Sequence, residues 1–103
     1  MFKRTLATGI AAGVLAAAIP AVASATDIRY IAANCANCHG TEGRVAPGSG
    51  LPGLAGQPAA YFIEQMNAFR SGKRQATIMH QLAKGYTDDE IARLAAYFAS
   101  QKR

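Results

Sequence analysis

Cys35-Ala36-Asn37-Cys38-His39 constrains this 103-residue chain more than any other stretch. Two thiols three residues apart lie one helical turn apart, so both can face one ligand. C-x-x-C-H is the attachment site of a c-type haem, where each thiol adds to a vinyl group as a thioether. The next residue, His39, is then held under the iron and offers it an imidazole nitrogen. Three other uses of such a pair fit less well. A disulfide would close a very small loop and contribute little stability. A zinc site expects four ligands, and the whole chain holds only two cysteines and two histidines. A thioredoxin-like redox pair belongs beside a βαβ pattern, and none surrounds these residues.

The N-terminus favours export. Met1-Phe2-Lys3-Arg4-Thr5 is a short positive start, an apolar run follows from Leu6 to Val22, and Ala23-Ser24-Ala25 closes it with an A-x-A pattern. This is the layout of a secretory signal peptide over residues 1–25, cleaved after Ala25. The other reading is a retained membrane anchor. The run is at the short edge for a spanning helix, and Gly9, Gly13 and Pro20 weaken it. Export agrees with the thiol motif, because haem c is attached outside the bacterial cytoplasm. The expected compartment is the periplasm, with no stable membrane insertion once the signal is removed.

Residues 26–103 then form one domain of 78 residues. A core this small is marginal unless something staples it, and a covalent haem is a large apolar staple. Without Lys3 and Arg4, nine Lys plus Arg face six Asp plus Glu, a net of +3. Two haem propionates lower that to about +1. Charge therefore gives no support to a nucleic-acid role.

The pattern along this domain is all-α. A first helix is expected from about Asp27 to Asn37, with Thr26 as N-cap, an apolar stripe of Ile28, Ile31 and Ala32, and Gly40 ending it. Residues 41–57 read as loop. Six glycines from Gly40 to Gly56, with Pro47 and Pro52, break any regular element. A long loop in a small domain is usually functional, and this one would wrap the His39 side of the haem. Pro58 opens a second helix, stopped by Gly72. A short helical piece follows Met79 and His80 and ends at Gly85. Thr87-Asp88-Asp89-Glu90 is a capping box for a last helix carrying Ile91, Leu94, Ala95 and Phe98 on one face, ending near Ser100.

A sixth ligand to iron must come from Met66, Met79 or His80. Met66 falls on the apolar face of a helix, where methionine is commonly core filler. Met79 stands between helices, where the chain can present it to iron, and His80 is its rival. Thioether ligation raises a haem potential and histidine lowers it. A six-coordinate iron leaves no open position for substrate, so bond-making chemistry at the haem is not expected.

At this point the chain resembles a class I cytochrome c: C-x-x-C-H-G near the start of the domain, a methionine some forty residues on, and a capped closing helix. The resemblance implies a small class I cytochrome c fold, three to five helices around one covalent haem c. It also points to Met79. Leu51-Pro52-Gly53-Leu54-Ala55-Gly56-Gln57, Tyr61, Phe69-Arg70-Ser71-Gly72, Arg74 and Thr77-Ile78-Met79 resemble one domain of the dihaem bacterial cytochromes c. Leu82 to Glu90 resembles the haem subunit of flavocytochrome c sulfide dehydrogenase.

The narrower resemblance implies a role. The chain would accept single electrons from an FAD-bearing subunit that oxidises sulfide, itself non-catalytic. The alternative is a free-standing monohaem carrier that serves a terminal oxidase or reductase. By the same resemblance the Pro52 carbonyl would accept a hydrogen bond from the His39 ring, orienting it. Tyr61, Gln65, Arg74 and Tyr86 are candidate pocket or propionate contacts. Arg70, Lys73, Arg74 and Lys84 flank Met79 as a positive collar for a partner protein. A permanent flavoprotein partner would rely more on apolar residues near Leu51, Pro52 and Ile78.

Overall fold

The computed structural model describes residues 9–15, 17 and 27–103. The expected cleavage site after Ala25 and the expected cap at Thr26 lie outside the described residues. Residues 9–15 run as irregular chain with Ile10, Val14 and Leu15 exposed. Among the described residues no helix is long and apolar enough to cross a membrane.

Among the described residues all the regular structure is helical, as the sequence pattern requires. The first helix, α1, spans Ile28–His39. Its cap is Asp27, whose side chain accepts the Arg29 N–H at 2.9 Å. A carboxylate at that place answers an otherwise unsatisfied helix donor and faces the positive end of the helix dipole. The Arg29 guanidinium holds the Asp27 carboxyl down to about 2. The helix runs two residues past the expected Asn37, so all three residues of the haem motif that carry chemistry sit on it.

Gly40 then turns the chain at φ +82°, and its N–H reaches Ala36 O. A Cβ at Gly40 would lie 1.8 Å from the Arg44 carbonyl oxygen, so no other residue fits. A single 3₁₀ turn, Thr41–Gly43, follows where the sequence suggests only loop. Glu42 within it adopts a left-handed φ of 55°, and its carboxylate pairs with Arg44.

Helix α2 spans Ala59–Ser71, opening after Pro58 and closing on left-handed Gly72. Helix α3 is short, Met79–Ala83. Helix α4 spans Asp88–Ala99, and the Thr87–Glu90 capping box is complete, with both reciprocal bonds at 3.1 Å. The helix packs its apolar stripe against both α1 and α2, while α3 leans on α2.

The stripe of α4 is the centre of the core. Ile91, Leu94, Ala95 and Phe98 are all at most 1 % exposed. Phe98 meets Phe62 of α2 at a ring separation of 5.6 Å. Ala32, Met66 and Ala83 complete the cluster from the other three helices. Small residues from α1 and α3 let the helices approach closely, so the core is narrow and sits to one side of a wide cleft.

Candidate haem site

The cleft, about 360 Å³, is lined by α1, α2, α3 and the two irregular segments between them. Cys35, Cys38 and His39 come from the last turn of α1, Leu51, Pro52 and Leu54 from the loop, and Met79 from the first position of α3. Cys38 is exposed and Cys35 half-buried, so the pair forms the mouth of the cleft. Burial pushes the Cys35 thiol above the ordinary cysteine range.

His39 is buried, and its Nδ1 stands 2.7 Å from the Pro52 carbonyl oxygen. A carbonyl can only accept, so Nδ1 carries the proton and donates. The tautomer is thereby fixed and Nε2 keeps its lone pair. The hydrogen bond needs the chain to fold back on itself, thirteen residues on. The turn at Gly40 and the 3₁₀ turn supply that reversal.

The walls are apolar. Leu51, Ile78 and Leu82 are exposed large side chains, and all three line the cleft beside buried Phe62 and Met66. The rim is polar: Tyr61, Gln65, Arg74 and Tyr86 line it, and so do Asn34, Gln57, Gln75 and Thr77. Arg74 donates to Gln65 Oε1 at 2.7 Å and lies 4.7 Å from the Phe69 ring centroid. That stacking holds an exposed cation in place. Burial raises the Tyr86 hydroxyl above the usual tyrosine range. Cys35 adds to the shift and a hydrogen bond with Asn34 opposes it.

His80, the rival weighed against Met79, and Arg70, one of the collar residues, both lie off the cleft lining. His80 does not line the cleft, and its buried Nδ1 has no hydrogen-bond partner. Being next to Met79 on a helical turn, it is carried some 100° round the axis and away from the opening. Nor is Arg70 part of a free positive collar. Its guanidinium binds Asp88 at 2.5 Å and Asn67 at 2.6 Å, tying α2 to the acidic first turn of α4. Lys73, Arg74 and Lys84 are exposed, and of the three Arg74 lines the cleft. The sequence reading also missed the four amide and hydroxyl groups at Asn34, Gln57, Gln75 and Thr77. No spacing rule marks single polar residues on a rim.

The chemistry of this donor set fits one kind of group. Two thiols, an imidazole with a free Nε2 and a thioether converge on an apolar slot. The slot is rimmed by an arginine and amides. That is a site for a flat apolar macrocycle with a central metal and acidic edge groups. The sequence profile of cytochrome c matches residues 28–102, nearly all of this domain.

The chain belongs to the cytochrome c family.

Its cofactor is accordingly covalent haem c, its fold is the small all-α class I fold, and it is an electron carrier. The cytochrome is 38% identical, over 86 residues, to the cytochrome subunit of sulfide dehydrogenase from Chlorobaculum tepidum. That match covers 82% of this chain and 76% of the relative. It is 44% identical over 71 residues to cytochrome c4 from Pseudomonas aeruginosa, covering 69% of this chain but 35% of that protein. Cytochrome c-554(548) from Halomonas halodenitrificans is 42% identical over 72 residues, which are 66% of this chain and 84% of that one. The chain thus spans about a third of the cytochrome c4 and most of the two shorter relatives.

Proposed function

We propose that this cytochrome carries single electrons in the periplasm, after removal of residues 1–25, as the haem subunit of a flavoprotein that oxidises sulfide. When bound, haem c supplies a one-electron iron couple. Cys35 and Cys38 would tether it, His39 Nε2 and the Met79 sulfur would ligate its iron, and the Pro52 carbonyl would hold the His39 ring. The single observation that carries this reading is the convergence of Cys35, Cys38, His39 and Met79 on one cleft, with Nδ1 of His39 already committed to a backbone carbonyl.

Each residue has a definable part. The Nδ1–H bond to Pro52 raises the basicity of the imidazole and orients it. A thioether ligand from Met79 would favour ferrous iron and raise the potential. Phe62, Met66 and Leu54 keep water from the buried end of the slot. Arg74 and Gln65, already joined to each other, offer charge and an amide to acidic edge groups. With His39 and Met79 both committed to the iron, the chain would transfer electrons without binding substrate, so sulfide and flavin chemistry would belong to the partner.

The partner assignment draws on the similarity to the sulfide dehydrogenase subunit, which runs over 82% of this chain. A second reading, a free-standing carrier, is favoured by the match to cytochrome c-554(548), 84% of whose length is covered. Isolation of the native haem-loaded protein from its own periplasm separates them. Flavin absorbance and a second polypeptide beside the haem bands are expected. Haem bands alone on a small monomer would replace the subunit reading with the carrier.

A further inference from the structure

Gly43 does not line the cleft, yet it grips the segment that does. Its carbonyl accepts two N–H groups, from Leu54 at 2.8 Å and from Ala55 at 3.2 Å. These are the second and third residues after Pro52, whose own carbonyl takes the His39 proton at 2.7 Å. Two further bonds hold the same stretch. Gln57 Nε2 donates to Gly53 O at 2.9 Å, and the Gly56 N–H reaches Phe98 O at 2.8 Å. The four residues from Pro52 to Ala55 are thus held by Gly43, by the Gln57 side chain and, through Gly56, by the carbonyl of core Phe98.

Position 43 tolerates no side chain. Its φ is +79°, and a Cβ there would stand 2.8 Å from Ala55 N, 2.8 Å from Leu54 Cβ and 3.0 Å from the Phe98 ring. The nearest obstacle is backbone, and the ring is in the core at 1 % exposure, so neither can swing aside. A methyl at 43 therefore pushes the segment that carries the Pro52 carbonyl. Every side chain lining the cleft stays chemically unchanged.

We propose that Gly43 is a positioning residue: by clamping Leu54 and Ala55 it sets the His39–Pro52 hydrogen bond, and through that bond the reduction potential of the bound haem c. The proposal rests on the reading above that His39 would ligate the haem iron. A looser bond makes the imidazole less basic, gives ferric iron less support and raises the potential.

The chain contains its own control. Gly48 lies in the same loop at φ +78°, and a Cβ there would meet nothing within 4 Å. Gly48→Ala carries the same backbone cost as Gly43→Ala without the push. Haem-loaded wild type and both variants are titrated for midpoint potential. Exchange of the His39 Nδ1 proton is followed by NMR in the reduced form. Gly43→Ala should raise the potential and speed that exchange by roughly tenfold or more, while Gly48→Ala matches wild type in both. A Gly43→Ala protein with wild-type potential and exchange, or a Gly48→Ala protein shifted as far, overturns the proposal.

Should Gly43→Ala not accumulate as loaded protein, wild type alone decides. The Leu54 N–H and the His39 Nδ1–H should be protected alike, because one opening frees both. A His39 proton whose protection, relative to a free imidazole N–H, falls far below that of the Leu54 amide relative to a free amide overturns the clamp. The axial assignment is tested separately by the wild-type NMR spectrum. Absence of an iron-bound imidazole there would sink that assignment, and the proposal with it, before any variant is made.

Discussion

The two sides of the cleft are built by different means. On the His39 side, the ring is fixed by Pro52, Pro52 by the Gly43 clamp, and the clamp by the core through Phe98. On the Met79 side, the Arg74 N–H reaches back to Ala68 O, and the next short-range backbone bond is that of Gln81 to Ile78 O. Between them Gln75, Thr77 and Ile78 are exposed, with Ile78 at 56 %. The first side is set by the protein alone. The second is set by α3 and by what fills the cleft. An irregular loop can thus be stiffer than a segment bounded by helices, because stiffness follows hydrogen bonds and buried anchors rather than secondary structure.

The largest test of that contrast compares His39→Ala with Met79→Ala in the haem-loaded protein. His39→Ala should lose the low-spin spectrum and much of its helical circular dichroism, since a domain this small depends on its staple. Met79→Ala should keep its helices, lose only the sixth ligand, show a lower potential and bind carbon monoxide rapidly when reduced. Equal loss of helix in the two would erase the distinction. Phe98→Ala comes next. It removes a fully buried ring that backs the clamp, and should cost about 3–5 kcal/mol in denaturant unfolding. It should also disturb the His39 proton more than the Met79 methyl resonance.

Thr87→Ala sharpens the Met79 side. It deletes half of the capping box just after α3 and should cost about 1 kcal/mol, with no change at His39. The smallest effect is at Asp27. Its folded carboxyl sits near 2 because of Arg29, below the ordinary aspartate value of 3.8. A depressed folded value means the contribution is complete above pH about 4 and is lost as pH falls toward 2. Wild type should thus approach the stability of Asp27→Asn as acid is added. A constant difference from pH 5 to pH 2 in thermal melts would remove the ionic cause.

Most of this fold is legible in the sequence because α4 announces itself: a capping box, then Ile91, Leu94, Ala95 and Phe98 at helical spacing. Gly72 and Gly40 mark ends for a steric reason that a sequence shows. The thiol motif is equally plain, since thioether chemistry needs that spacing. What the sequence does not show is long range. The Gly43 clamp joins residues eleven and twelve apart through backbone atoms, which carry no side-chain signature. Arg70 reads as a collar residue until α4 brings Asp88 against it. His80 reads as a rival of Met79 until the first turn of α3 fixes which one faces the cleft.

The turn at Gly40 has a consequence for how this sequence can drift. The residue touches no cofactor and carries no chemistry, but a single added carbon would fall on the Arg44 carbonyl oxygen. Selection would therefore hold position 40 as tightly as the histidine before it. In the history of this chain, the indispensable word is six letters long, and the last letter is written by empty space.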